Sequence, residues 1–272
     1  MLERVSVGGV ELEYELTGAG EPVVLVHGGL GAVWAEPFLD QPALADRYQL
    51  LSYHRAGFAG SGRMEGPSTM AAHAAHCRWL MAELGIKAAH VVAHSSGASV
   101  ALQLALDAPE AVHTLALLEA ARPAPAIGAK ERFIATAAQR YAAGDPVGAV
   151  NIFFRGLYGP GYRRALDDGL PGAFEQTVTD SGVLFTQEVP ALQGWRFTRD
   201  DARRIAAPTL VVCGTASQDL FTEPHELLLR WLPNAEPLHL PGLTHLLHAQ
   251  DPVAVAEALA GFFARHPAPE PA

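Results

Sequence analysis

Two hydrophobic patterns alternate along this chain. Short apolar runs read as strands: PVVLVHGG, whose run from Val23 to Val26 is expected to be buried on both faces, YQLLSY at 48–53 and AHVVAHS at 89–95 in the same pattern, then VHTLALLE ending in Glu119, APTLVVCG and EPLHL. Between them, apolar residues recur at helical spacing. The stretch from Thr69 to Leu84 reads as a helix, and Ala98, Ala101, Leu102 and Ala105 form one face of another that ends near Pro109. A helix is expected around Glu226 to Trp231. A last one starts at Asp251 and Pro252, an N-cap and first-turn proline, and buries Val255, Leu259 and Phe262. Near the N-terminus VSV and VELEYEL alternate about Gly8-Gly9, a hairpin signal. Strands alternating with helices predict an α/β fold: a mostly parallel twisted sheet flanked by helices and built from right-handed crossovers.

From Ala120 to about Arg204 the strand pattern stops. Pro123 and Pro125 open this segment, and the rest reads as short helices broken by GDP, YGPG and GLPG. The expected organisation is a core of residues 1–119 and 205–265, a helical lid over 120–204, and a flexible Pro- and Ala-rich tail at 266–272. Ten aromatic residues fall in the lid, from Phe133 to Phe197. Most are expected to pack the lid onto the core and a few to line an apolar acyl or aryl pocket.

With 272 residues, 49% of them hydrophobic, the chain can bury a large core. Charged residues begin at Glu3 and no run is long and apolar enough for a signal peptide or a membrane span, so a soluble, cytoplasmic protein is expected. A net charge of −10, with 19 Lys and Arg scattered among 29 acids, disfavours a nucleic-acid partner and points to a small-molecule substrate. Cys77 and Cys213 lie far apart without metal-ligand spacing and read as buried free thiols; neither a metal nor an organic cofactor is implied. The glycines of HRAGFAGSG at 54–62 do not have dinucleotide-binding spacing, so that segment reads as a tight loop bracing its neighbours. Oligomeric state is not written in the sequence.

The chemistry concentrates at Ser95. A strand runs straight into a helix through Ala93-His94-Ser95-Ser96-Gly97, with small residues two positions either side of the serine, as a sharp strand-to-helix turn requires. Ser96 is a poorer nucleophile candidate, because centring the turn on it would put His94 where a small residue is needed. Its backbone N–H is instead expected to face a developing oxyanion. Gly29, in His27-Gly28-Gly29-Leu30, is the expected second oxyanion donor, since an N–H approaches a charge closely where no side chain intervenes. His27 reads as a structural brace. His245, in a loop after the last strand, is positioned to serve as general base for Ser95, with His248 its nearest competitor.

HGG at 27–29, HRAGFAGSG at 54–62, AHSSG at 93–97 and PGLTH at 241–245 stand in the order of an α/β-hydrolase, and over nearly its whole length the chain resembles that fold superfamily, in its serine-nucleophile branch. The resemblance implies an acyl-enzyme on Ser95; serine at this turn disfavours dehalogenase and epoxide-hydrolase relatives, which carry aspartate there. The sequence departs from the family at the third triad member. Where the family usually places aspartate, three residues beyond the glycine of TLVVCG, stands Ser217. Glu119, ending an apolar strand at the position some similar enzymes use, is favoured as the acid, because a carboxylate buried there needs a partner. Asp219 is the alternative. The bland readings are a salt bridge from Glu119 to Arg122 and a solvated Asp219. The resulting expectation is a cofactor-independent serine hydrolase acting on a small to medium, largely apolar ester, thioester, lactone or activated C–C bond. The alternatives are a lyase or acyltransferase on the same residues, or a ligand receptor that retains them.

Overall fold

The structure, a computed structural model, describes residues 1–121 and 132–268. Its strands are β1 (Glu3–Val7), β2 (Val10–Gly18), β3 (Glu21–Val26), β4 (Tyr48–Tyr53), β5 (Ala89–His94), β6 (Val112–Leu118), β7 (Thr209–Gly214) and β8 (Ala235–Leu240). They form one sheet in the order β1-β2-β4-β3-β5-β6-β7-β8. β1 pairs with β2, and β2 with β4, in antiparallel fashion; every later neighbour is parallel. The expected hairpin forms where Val7 pairs with Val10 across Gly8 and Gly9, at φ 57° and 81°, a left-handed turn that matches the strand twist.

Strand side chains alternate between two buried faces. Val91 and Ala93 face α1 (Met70–Glu83) and α2 (Gly97–Asp107), while Val92 joins Trp34, Phe38 and the Val255, Leu259 and Phe262 stripe of α8 (Pro252–Arg265). Burying strands on both faces is what the continuous apolar runs encode, and each fully buried Val or Leu contributes about 1.5–3 kcal/mol. The predicted cap is in place, Asp251 accepting from the Ala254 N–H, and Thr69 caps α1 in the same way by accepting from the Ala72 N–H. One helix differs. The element expected around Glu226 begins at Asp219 as α7 (Asp219–Trp231), with Pro224 inside it. A proline that reads as a boundary is accommodated at the loss of one intrahelical hydrogen bond.

Between β6 and β7 the chain runs through a helical insertion. The helices α3 (Arg132–Ala142), α4 (Pro146–Tyr158) and α5 (Tyr162–Gly169) end at the Gly- and Pro-rich breaks, and α6 (Ala173–Thr179) is followed by a wider π-type turn at Leu184–Glu188. Phe153, Phe154, Phe174, Leu184 and Phe185 share a cluster with Leu30 and Leu246 from the loops at the sheet's edge. Trp195 and Phe197 join the α1/α2 side, where the Trp195 indole donates to Gln103 of α2 at 2.8 Å. Arg122, Pro123 and Pro125 lie outside the described residues, as do residues 269–272 of the expected tail. Before them, the Ala268 N–H donates to Glu21 at 2.8 Å.

Candidate active site

Parallel strands carry their C-terminal ends, and the loops that follow, to one edge of the sheet. There Ser95 directly follows β5 and Glu119 directly follows β6. Both residues adopt left-handed backbone geometry, with φ 56° and 49°, which costs a non-glycine residue on the order of 1–3 kcal/mol. The sheet edge holds them there. The Ser95 N–H donates to the Leu118 carbonyl at 3.0 Å, the Glu119 N–H to the Val212 carbonyl at 2.9 Å, and the Ala121 N–H to the Ser95 carbonyl at 3.0 Å. The small residues around the turn have a visible cause as well. A Cβ on Gly97 would meet the carbonyl oxygens of Val26 and His27 at 2.5 and 2.6 Å, and one on Gly28 would meet the Ser95 Cβ at 2.8 Å.

His245 arrives from the loop after β8. Gly214 makes room for that loop, since a Cβ there would lie 2.1 Å from the Leu243 carbonyl oxygen. His94 donates from Nε2 to the His245 carbonyl at 2.9 Å. The His245 ring is fully buried, stacked on Phe221 at 3.6 Å between centroids with 11° between planes, and faces Tyr158 of the insertion at 5.4 Å and 24°. Its Nε2 lies 3.2 Å from Ser95 Oγ, and its Nδ1 lies 3.3 Å from Glu119 Oε2. The other carboxylate oxygen of Glu119 accepts from the Gly214 N–H and from Ser217 Oγ, each at 2.6 Å. The structure thus brings Ser95, His245 and Glu119 together. It places Ser217, where the family usually has its aspartate, as a donor to Glu119. Asp219 is exposed at the start of α7.

Electrostatics favour a neutral ring beside an ionised acid. Burial lowers the His245 pKa and the hydrogen bond to Glu119 restores it only in part, so the imidazole sits below its ordinary 6.5. Burial would raise the Glu119 carboxyl, but the donors from His245, Ser217 and Gly214 outweigh it and hold it below the usual carboxylate value. With Nδ1 donating to Glu119, Nε2 presents its lone pair to the Ser95 hydroxyl.

Ser96 follows Ser95 in the chain, and Gly29 follows Gly28, where an added Cβ would lie 2.8 Å from the Ser95 Cβ; neither the Gly29 nor the Ser96 N–H donates to another backbone carbonyl among the described residues. His27 braces the first loop. The Arg55 N–H donates to His27 Nε2 at 2.8 Å, which leaves the proton on Nδ1, and Nδ1 donates to the Gly28 carbonyl at 2.8 Å. His248, the rival base, packs against Trp34, Phe38 and His94. Three contributors were given no individual role from the sequence: Phe221, Tyr158 and a buried Arg55–Glu188 pair beside Ser96. Tyr158 left a trace as one of the ten lid aromatics, and the ion pair as the Gly-rich loop containing Arg55. Among the described residues no group of three or more His, Cys, Asp or Glu is placed to hold a metal ion, and no helix is long and apolar enough to cross a membrane.

Buried neutral histidines make acid stability a direct check on this arrangement. Burial holds His73 and His248 down to about 3 and puts His27 and His94 well below their ordinary 6.5. A depressed folded-state pKa contributes stability that is present above the unfolded value of about 6.5 and is lost as pH falls toward the folded value. The unfolding free energy, and with it the urea midpoint, should therefore drop steadily from pH 6.5 downward, the free energy by at most about 1.4 kcal/mol per pH unit for each such histidine. A midpoint that stays flat between pH 7 and 5 would contradict the buried, neutral placement.

The chain matches the α/β hydrolase fold family over residues 21–252. It is 38% identical over 112 residues to the carbamate hydrolase candidate RutD of Azorhizobium caulinodans, a stretch covering 41% of this chain and 42% of that protein; the chain thus spans under half the length of that relative. It is 30% identical over 271 residues to the non-heme bromoperoxidase candidate BpoC of Mycobacterium tuberculosis, covering 94% of this chain and 98% of that one. Among solved structures, the enol-lactonase of Burkholderia xenovorans LB400 superposes with a TM-score of 0.84 at 19% identity, over 96% of this chain and all (100%) of that one.

Proposed function

Because this chain belongs to the α/β-hydrolase-fold family, we propose that it is a serine hydrolase in which Ser95 is the nucleophile, His245 the general base and Glu119 the residue that orients His245. The observation that carries this reading is the continuous relay from Ser95 Oγ to His245 Nε2, at 3.2 Å, and from His245 Nδ1 to Glu119, at 3.3 Å. A serine hydroxyl is a weak nucleophile until an adjacent base takes its proton, and a neutral buried imidazole is that base at pH 7.

In the proposed cycle the Ser95 oxygen adds to the substrate carbonyl carbon as its proton passes to His245 Nε2. The carbonyl oxygen becomes anionic and is received by the N–H groups of Gly29 and Ser96, while Glu119 stabilises the imidazolium. His245 then protonates the departing oxygen, nitrogen or sulfur, and the acyl group stays on Ser95. Water, deprotonated by the same ring, releases the acid and restores the serine. Leu184 and Phe153 approach Gly29, and Phe221 and Tyr158 bracket His245; these contacts support a small to medium, largely apolar acyl substrate. The names of a carbamate hydrolase candidate and an enol-lactonase among similar proteins are consistent with cleavage at an acyl carbon.

Treatment with a fluorophosphonate followed by intact-mass measurement and peptide mapping tests this reading. One adduct, on Ser95 and absent from Ser95→Ala, is the expected result. A folded sample that takes no adduct, or takes it elsewhere, would remove Ser95 from its role.

A further inference from the structure

One buried ion pair sits directly behind both candidate oxyanion donors. Arg55, in the Gly-rich 54–62 loop, donates from Nη1 and Nη2 to the two carboxylate oxygens of Glu188 at 3.0 and 2.7 Å, and the two side chains are 0% and 3% exposed. The pair reaches both donor segments. On one side Glu188 Oε1 accepts from Ser96 Oγ at 2.6 Å. On the other, Arg55 Nη2 donates to the Gly28 carbonyl at 3.4 Å, joining the His27 ring at 2.8 Å and the Gly31 N–H at 3.2 Å.

The Gly28 carbonyl belongs to the same peptide unit as the Gly29 N–H. In a trans peptide the C=O and N–H point in opposite directions, so donors that fix and polarise the carbonyl also aim and strengthen the N–H on the far side. Glu188 belongs to the π-type turn of the insertion, and the same turn brings Leu184 against Gly29, where a Cβ would lie 3.2 Å from Leu184 Cδ1. Wide π-type turns inside helices often mark functional positions. A bare ion pair is poor evidence of stabilisation, because desolvating two charges offsets their attraction; its placement here calls for another account.

Building on the serine-hydrolase reading above, we propose that Arg55 and Glu188 are positioning residues that set the Gly28–Gly29 peptide and Ser96 as oxyanion donors, so that the insertion supplies part of the geometry of the reacting centre. Neither side chain touches the substrate. Loss of the pair leaves the donors present but misdirected, which costs transition-state binding and spares ground-state binding.

The test compares wild type with Glu188→Gln, Arg55→Lys and Ser96→Ala, all in the full chain. The readouts are kcat and KM on p-nitrophenyl butyrate and affinity for 1,1,1-trifluorooctan-2-one. That ketone takes the Ser95 oxygen at its carbonyl carbon and the serine proton goes to His245, leaving an oxyanion in the donor site. Glu188→Gln should lower kcat by about 10- to 100-fold with KM within about threefold, and ketone affinity should fall by the same factor as kcat. Arg55→Lys keeps the charge but not the two-pronged contact, and should fall in the same direction. Breaking a buried pair can prevent folding, and in that case Ser96→Ala decides. It removes only the hydroxyl bonded to Glu188 and should lower kcat and ketone affinity in parallel by about 5- to 10-fold. Folded variants that melt earlier yet keep kcat and ketone affinity within twofold would overturn the proposal and leave the pair a structural anchor. Wild type that accepts neither ester nor ketone would overturn the serine-hydrolase reading itself, a distinguishable outcome.

Discussion

Replacing Ser95 by alanine is expected to lower kcat on p-nitrophenyl esters by roughly 10⁴-fold or more, and His245→Ala should reach about the same floor. The double variant should fall no further. The two side chains act as one unit: without its base the serine keeps its proton, and without the serine the base has no nucleophile to activate. What remains is the contribution of the oxyanion donors and of binding, so the losses do not add. Geometry makes these substitutions clean. Ser95 is held by backbone bonds to Leu118 and Ala121 that alanine retains, although alanine must still accept φ near 56°. His245 is held through its own carbonyl by His94, so the loop keeps an anchor when the ring is removed. Ser95→Ala with undiminished turnover would show that another residue attacks. Losses that multiply in the double variant would show that the pair does not act on one proton.

Much of the sheet was legible because its central strands, β3, β5, β6 and β7, are largely apolar runs, and runs of that kind need burial on both faces to be stable. Ser95 was legible for a local reason. The turn leaves no space for side chains at Gly97 and Gly28, so small residues mark it in the sequence. The setting of the acid was only half legible. That Glu119 needs a partner follows from its place at the end of a buried strand, but no spacing rule reveals that Ser217 and the Gly214 N–H donate to its carboxylate alongside His245. Of the Arg55–Glu188 contact, only the Gly-rich loop that carries Arg55 was legible. The contact joins residues 133 positions apart, and the partner of Arg55 comes from a segment whose helices are set by packing on the core and not by a repeating motif. The onset of α7 was hidden by Pro224, since a proline in a short window reads as a boundary even where a helix absorbs it.

Glu119→Gln should lower kcat by about 10³- to 10⁴-fold while Asp219→Asn stays within about threefold of wild type, with KM little changed in both. The reason lies in the two donors on Glu119 Oε1. The Gly214 N–H and the Ser217 hydroxyl both donate to that oxygen at 2.6 Å, so a glutamine at this position must put its amide oxygen there to satisfy them. Its NH₂ group then faces His245 Nδ1. That contact turns Nδ1 into an acceptor and moves the ring proton to Nε2, where it meets the Ser95 hydroxyl with no lone pair to offer. The neutral amide also withdraws the charge that stabilises the imidazolium. The acid limb of the wild-type kcat/KM profile, expected below pH 6.5 because the buried imidazole is depressed, should therefore move lower still in Glu119→Gln. Ser217→Ala offers an internal control, since it removes one of the two donors that fix the amide's orientation; combined with Glu119→Gln it should recover part of the lost rate by letting the amide turn its oxygen toward His245. A full loss in Asp219→Asn with activity retained in Glu119→Gln would reverse the assignment. It would require the 215–218 loop to rearrange during turnover and would leave Glu119 as a carboxylate buried at the sheet edge for structural reasons alone.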